Sequence, residues 1–310
     1  MIAFEHVGKA YDGRVAVDDV SLSIAEGEFV VVIGPSGSGK STMLKMVNRL
    51  VEHDRGRILF AGDEIRRFKP EALRLRMGYA IQSIGLIPHW TVEQNIAAVP
   101  ELLGWPRSRV RDRVTELLEL LDLAPATYRR RYPHQLSGGQ QQRVGVARAL
   151  AGDPAILLMD EPFGSLDPVT RDALQQEIAR IHKASGKTIL FVTHDIDEAL
   201  RLATRIVLLD GGRVVQDGTP REILARPAAD FVSEFVGRGD IGLKLLGLDT
   251  VSGLVRRGES AAGDAIPISA SLREALSIAI ARGVDRLPVA DDQGRAVGAI
   301  AVADITKPQA

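Results

Sequence analysis

Gly34-Pro35-Ser36-Gly37-Ser38-Gly39-Lys40-Ser41-Thr42 decides the fold of this chain. It follows a β-branched run, Phe29 to Ile33, and opens a periodic segment that predicts a helix over Ser41 to Leu50. Strand, glycine-rich turn and helix, in that order, are the context that the phosphate-loop pattern requires. The glycines let backbone N–H groups converge on phosphate oxygens, and the helix N-terminus adds its positive end. Lys40 then reaches the β- and γ-phosphates, and the Ser41 hydroxyl can ligand Mg2+.

Two further apolar runs end in residues that carry chemistry. Ile156 to Met159 leads into Asp160-Glu161, and Thr188 to Val192 leads into Thr193-His194. Short continuous apolar runs separated by helical segments predict a parallel sheet covered on both faces, an α/β fold. Such sheets bind ligands outside the carboxyl ends of their strands. Asp160 is therefore expected to hold Mg2+, directly or through water, Glu161 to polarise an attacking water, and His194 to meet the γ-phosphate. Leu136-Ser137-Gly138-Gly139-Gln140, ahead of a helical stretch Gln141 to Leu150, offers a second anion cradle. One nucleotide already has its phosphate loop, so a second cradle suggests a site completed in trans; the plain alternative is a capped helix start.

Composition narrows the class. The 310 residues carry 39 Lys+Arg against 40 Asp+Glu, a formal net charge of −1, which argues against a dedicated nucleic-acid binder. The absence of cysteine removes disulfides and thiolate zinc sites and fits a reducing compartment. The start of the chain lacks a signal-peptide pattern. The longest apolar runs, such as Phe29 to Ile33 and Ala155 to Met159, are five residues, where a span needs about 20. Any membrane role is expected to come through a partner.

The organisation has three parts. From Ser108 onward, Val110, Val114, Leu117, Leu118 and Leu121 recur at helical spacing and predict a helical subdomain inside the first domain. All 14 aromatics lie at or before Phe235, and Gly237, Gly239, Gly242 and Gly247 follow, which sets a boundary near 237. In the tail, Ser271 and Glu274 form a capping box, Leu272, Ala275, Leu276, Ala279 and Ile280 a helical stripe, and Gly283 a stop. Arg286 to Ala290 and Ala296 to Ala301 read as two strands of a small α+β unit.

Taken together, the phosphate loop Gly34 to Thr42, Gln82, Leu136 to Gln140, Asp160-Glu161, Ser165-Leu166-Asp167 and His194 resemble, in order, the nucleotide-binding subunit of an ATP-binding-cassette (ABC) transporter. The resemblance covers residues 1 to about 236. It implies a P-loop NTPase cassette, with a RecA-like mixed sheet core and a helical and signature subdomain over about 85–155. It also implies an ATPase working as a head-to-tail homodimer. In that dimer two ATPs with Mg2+ lie between one subunit's phosphate loop and the other's Ser137, Gly138, Gly139 and Gln140. Further implied roles are Tyr11 stacking on adenine, Gln82 coupling the γ-phosphate and Mg2+ to the helical subdomain and permease, and Asp167 communicating across the dimer. From the residues alone, Asp167 before Pro168 also reads as an N-cap, Tyr11 and Trp90 as packing, and Thr91 with Gln94 as a capping box.

Within the family, Met77 to Asn95, Glu161 to Thr170 and His194 to Leu200 resemble importers of glycine betaine, choline and related quaternary-amine osmoprotectants, with Ile81 where many relatives carry an aromatic. Beyond a linker at 237–252, residues 253–310 resemble one CBS-type regulatory repeat, through Leu287-Pro288-Val289 and Gly298 to Asp304. The usual hydroxyl is replaced by Ala301 and the tail has no aromatic, which argues against a nucleotide there and leaves dimer stabilisation as its simpler role. The implied function is the motor of an osmoprotectant import complex, peripheral on the cytoplasmic face of the inner (plasma) membrane. Its implied partners are permease subunits and, indirectly, a substrate-binding protein, with no nucleic acid. A motor for another small polar solute such as an amino acid, or a soluble ATP-driven switch, stand as alternatives.

Overall fold

A computed structural model describes residues 1–81, 85–164 and 166–306. They pack as two compact units, Met1–Asp217 and Gly218–Ala310. The first contains two sheets. Its strands are β1 (Ile2–Tyr11), β2 (Arg14–Ile24), β3 (Phe29–Ile33), β4 (Arg55–Phe60), β5 (Asp63–Glu64), β6 (Met77–Ala80), β7 (Ile156–Asp160), β8 (Thr188–Val192), β9 (Arg205–Asp210) and β10 (Arg213–Gly218). The larger sheet has the order β10-β9-β3-β8-β7-β6. From β9 to β6 its neighbours run parallel, and every residue of β3, β7 and β8 is buried. The continuous apolar runs therefore mean what they were expected to mean: strands covered on both faces.

The second sheet, β2-β1-β4-β5, is antiparallel, and the sequence reading did not anticipate it. Its hydrophobic alternation is interrupted. His6 and Asp19 both take left-handed backbone (φ 52° and 55°) where the β1–β2 register shifts, and the His6 Nδ1 and Asp19 Oδ1 atoms meet at 3.0 Å across the bulge. Eight-residue α1 (Lys40–Val47) lies between the sheets. Its Met43, Leu44, Met46 and Val47 share one core with Val30 and Val32 of β3 and with Ile2, Phe4 and Ile58 of the antiparallel sheet.

Helix α1 stops before the expected Leu50. Asn48 Oδ1 accepts the Leu50 N–H at 3.1 Å, and Arg49 turns to φ 53°, so side chain and backbone end the helix together. After α2 (Pro70–Arg74) come, among the described residues, the α-helices of the insertion: α3 (Val92–Leu102), α4 (Arg107–Leu120), α5 (Pro125–Tyr128) and α6 (Gly138–Ala151). Val110, Val114, Leu117 and Leu118 form the buried face of α4, as their spacing predicts. Helix α6 begins at Gly138 and not at Gln141, because Ser137 already caps it. Helices α7 (Pro168–Ser185) and α8 (Ile196–Leu202) flank β8 in sequence.

The second unit starts ahead of the boundary near 237. It holds α9 (Pro220–Ala225), α10 (Asp230–Val236) and α11 (Ile241–Leu248), and α11 packs against α9 as well as against α12 (Leu272–Arg282). The segment 237–252, expected as a linker, thus carries a helix. Short β11 (Arg256–Arg257) and β12 (Ile266–Pro267) join β13 (Arg286–Ala290) and β14 (Ala296–Ala301) in the order β11-β14-β13-β12, and α13 (Val302–Ile305) closes the unit. Ser271 Oγ accepts the Glu274 N–H at 3.1 Å and Gly283 ends α12 at φ 63°, as expected, but among the described residues only the serine half of the capping box forms, and Ile280 of the expected stripe is exposed.

Candidate functional site

Three loops converge at one sheet edge because β3, β8 and β7 are neighbours that all run the same way. The first is the phosphate loop between β3 and α1. Two of its glycines, Gly34 and Gly39, are required by space as much as by torsion. A Cβ on Gly34 (φ 149°) would lie 2.1 Å from the Leu209 carbonyl oxygen, and one on Gly39 (φ 98°) would lie 2.2 Å from that of Ala16. The loop folds over Lys40, which is only 5% exposed. Its Nζ donates to the Gly34 and Pro35 carbonyls, each at 2.9 Å. Burial pushes the amine below its ordinary pKa, against the pull of Glu161 and Asp160 in the opposite direction. The buried Ser38 Oγ has no partner among the described residues, an orphan suited to an incoming oxygen.

The second and third loops bring the acids and the histidine. Ser41 Oγ donates to Asp160 Oδ1 at 2.8 Å, which couples the start of α1 to the end of β7. Hydroxyl and carboxylate together are the oxygen donors that magnesium takes, so the residues fit that ion. Glu161 follows in left-handed backbone (φ 45°), with its N–H on the Val192 carbonyl at 2.9 Å. That turn aims its carboxylate at His194, whose Nδ1 lies 3.1 Å from Glu161 Oε2. Asp160 also helps, after burial, to push the Tyr79 hydroxyl up to about 12.

The signature turn is built on other elements. Ser137 Oγ accepts the Gln140 N–H (3.3 Å), Gln140 Oε1 accepts the Ser137 N–H (3.0 Å), and Gln140 Nε2 donates to the Tyr128 hydroxyl (3.1 Å). A Cβ on Gly138 would meet open space, while one on Gly139 would meet Thr170 Cγ2 at 2.2 Å. The turn therefore abuts the first turn of α7, where Asp167 Oδ1 accepts the Thr170 N–H at 3.0 Å and so acts as the N-cap. Among the described residues, Ser137 to Gln140 make no hydrogen bond to Gly34 to Ser41. The plain reading, a capped helix start, is what the backbone shows here.

Tyr11 ends β1 and is 43% exposed, with the Lys9 ammonium 5.3 Å from its ring centre. It belongs to the β1–β2 hairpin whose Ala16 closes on Gly39, which puts the hairpin beside the phosphate loop. Gln82 and Ser165 lie outside the described residues. Trp90 stands edge-on to His89 in a turn pinned by Asn95. Asn95 is fully buried; it accepts the Ile87 N–H (2.8 Å) and donates to the Ile87, Trp90 and Thr91 carbonyls. Its role was missed, although a polar residue beside Ile96 on the apolar side of α3 is a usable sign. Also missed was Glu198, which takes a hydrogen bond from Thr193 and is 7% exposed.

A family model described as "ABC transporter" matches residues 17–164, and one described as "CBS domain" matches residues 265–308. The chain is 60% identical to the glycine betaine uptake system ATP-binding protein YehX of Escherichia coli (strain K12), over 98% of this chain and 99% of that protein. The chain belongs to the ABC transporter family. This ABC subunit is also 49% identical to the glycine betaine/carnitine/choline transport ATP-binding protein OpuCA of Bacillus subtilis (strain 168), over 94% of this chain and 76% of that protein. Among solved structures, the dimeric structure of MJ0796, a bacterial ABC transporter cassette, is 36% identical with a TM-score of 0.64, covering 71% of this chain and 99% of that one. The ABC subunit is accordingly an ATPase, with the expected P-loop cassette and, later in the sequence, a CBS domain.

Proposed function

We propose that this ABC ATPase is the motor of an import system for quaternary-amine osmoprotectants of the glycine betaine, choline and carnitine class, working through a separate permease. The observation that carries this reading is likeness along the whole chain, tail included, to a protein named for glycine betaine uptake. Among the described residues no helix is long and apolar enough to cross a membrane, so the path for the solute is assigned to permease subunits. The motor sits peripherally at the cytoplasmic face of the inner (plasma) membrane. A substrate-binding protein delivers the solute from the other side.

The geometry supports a division of labour in hydrolysis. Lys40 and the N–H groups of Gly37 to Ser41 hold the β- and γ-phosphates of ATP, with Ser38 Oγ available as a further donor. Ser41 and Asp160 would hold Mg2+, which when bound neutralises phosphate charge. Gln82 is assigned to that ion and to coupling with the permease. Glu161 orients and polarises the attacking water, and His194, anchored on Glu161, faces the γ-phosphate. A second copy supplies Ser137, Gly138, Gly139 and Gln140, and Asp167 at the start of α7 reports across that interface. Tyr11 stacks on the adenine.

The tail is assigned a role in regulation or dimer stability and not a nucleotide. Ala301 carries no hydroxyl and the tail no aromatic, and Asp304 is engaged within the tail in a two-pronged pair with Arg256, at 2.8 and 2.9 Å. Uptake of labelled glycine betaine, choline, carnitine and an amino acid by cells lacking the chain tests the substrate class. Loss of the three amines alone is expected; loss of the amino acid alone would overturn it.

A further inference from the structure

His194 is held by little of its own. Its side chain is 60% exposed and meets Glu161, itself on a strained turn, so the imidazole depends on how the loop after β8 is fixed. That loop has a buried anchor one residue away. Thr193, 2% exposed, donates its hydroxyl to Glu198 Oε2 at 2.7 Å and accepts the Asp195 N–H at 3.1 Å, while its own N–H bonds the Val32 carbonyl of β3 at 3.2 Å.

Glu198 is costly where it stands. It lies beside Ala199 and Leu202 on the buried side of α8, and burial holds its carboxyl above its ordinary pKa. Capping does not account for it, because Asp195 Oδ1 already accepts the Asp197 and Glu198 N–H groups. Its other oxygen takes a bond from Gln175 Nε2 at 3.4 Å, and Gln175 accepts from Arg201 at 3.1 Å. Gln175 belongs to α7, the helix that Asp167 caps and whose Arg171 donates to the Leu166 carbonyl at 3.1 Å.

We infer that Glu198 is a positioning residue for hydrolysis: through the Thr193 hydroxyl it fixes the His194 loop against Glu161, and through Gln175 it ties that loop to α7. The inference rests on the roles given above to His194 and Glu161. It differs from simple packing in what it requires, which is an acceptor for the Thr193 hydroxyl. A glutamine at 198 can supply that acceptor; a methionine fills the space without it.

The test measures steady-state ATP hydrolysis and thermal melting of the full chain for Thr193→Val, Thr193→Ser, Glu198→Met, Glu198→Gln and His194→Ala. Thr193→Val and Glu198→Met are expected to lower kcat by about tenfold with KM for ATP within about twofold, and the Ser and Gln variants to recover most of it. Should Glu198→Met fail to fold, Thr193→Val and its serine rescue carry the same comparison. Wild-type kcat in Thr193→Val, or a loss that serine and glutamine do not rescue and that follows the drop in Tm, would overturn the inference. His194→Ala separates the two levels: if it keeps wild-type kcat, the reading of His194 falls. If it is inactive while Thr193→Val is fully active, only the role of Glu198 falls.

Discussion

His194 Nδ1 stands 3.1 Å from Glu161 Oε2, although the two residues lie in the loops after different strands. The pairing follows from strand order, since β7 and β8 are adjacent and parallel with Asp160 opposite Val192. It places a carboxylate and an imidazole on the side of the sheet where the buried Lys40 and the orphan Ser38 hydroxyl lie. Removing the charge of Glu161 should stop the chemistry and keep the binding. Glu161→Gln is expected to lower ATP turnover by about a hundredfold or more while nucleotide still binds, and to run as a dimer in ATP on gel filtration. Wild-type turnover in that variant would remove Glu161 from its role.

Lys40 makes the complementary prediction. Its ammonium bonds two loop carbonyls and is partly desolvated, so a phosphate binding there would displace less solvent than at a surface lysine. Lys40→Ala should weaken ATP binding by about a hundredfold, measured by titration calorimetry, with the fold kept by circular dichroism. Undiminished affinity would contradict the assignment.

Gly39 should be intolerant for a reason of backbone and space together. At φ 98° an added Cβ is strained, and it would sit 2.2 Å from the Ala16 carbonyl. Gly39→Ala is expected to lower Tm and ATP affinity together, because the same contact joins the β1–β2 hairpin to the phosphate loop. Gly37→Ala, with no neighbour within 4 Å but φ 82°, should cost less stability in the same melting experiment.

Acid should unfold the first unit through its paired carboxylates. Arg213, then Arg55, hold Asp18 below the ordinary carboxylate range; Lys9 does so for Asp54 and Lys187 for Asp153. A carboxyl depressed in the folded state binds protons less readily than in the unfolded chain, so its contribution is present above the unfolded pKa and lost as pH falls through the folded one. Tm should therefore fall as pH drops below the ordinary carboxylate range of about 4, and Asp18→Asn should flatten that slope while lowering Tm at neutral pH. An unchanged slope would show that the Asp18 cluster does not contribute.

What could be read from the sequence follows from burial. Phe29 to Ile33, Ile156 to Met159 and Thr188 to Val192 are legible because strands covered on both faces need only be apolar, and the residues just past them inherit the sheet edge. The antiparallel sheet was not legible, since the bulge at His6 and Asp19 shifts the period on which alternation depends. Ile241 to Leu248 was hidden among glycines that promised a linker. Glu198 was missed because nothing in an acid on a short helix shows that a threonine hydroxyl five positions earlier needs it. Asp167 reads correctly as an N-cap, and that local reading neither requires nor opposes a role across an interface.

The most direct test of the central claim is uptake of labelled glycine betaine at high osmolarity in cells lacking this chain, complemented with wild type or with Glu161→Gln at equal abundance. Wild type is expected to restore uptake and Glu161→Gln is not, while Glu161→Gln still binds ATP. Equal uptake with both would separate transport from the Glu161–His194 site, and no uptake with wild type, from a chain that still hydrolyses ATP, would contradict the osmoprotectant assignment.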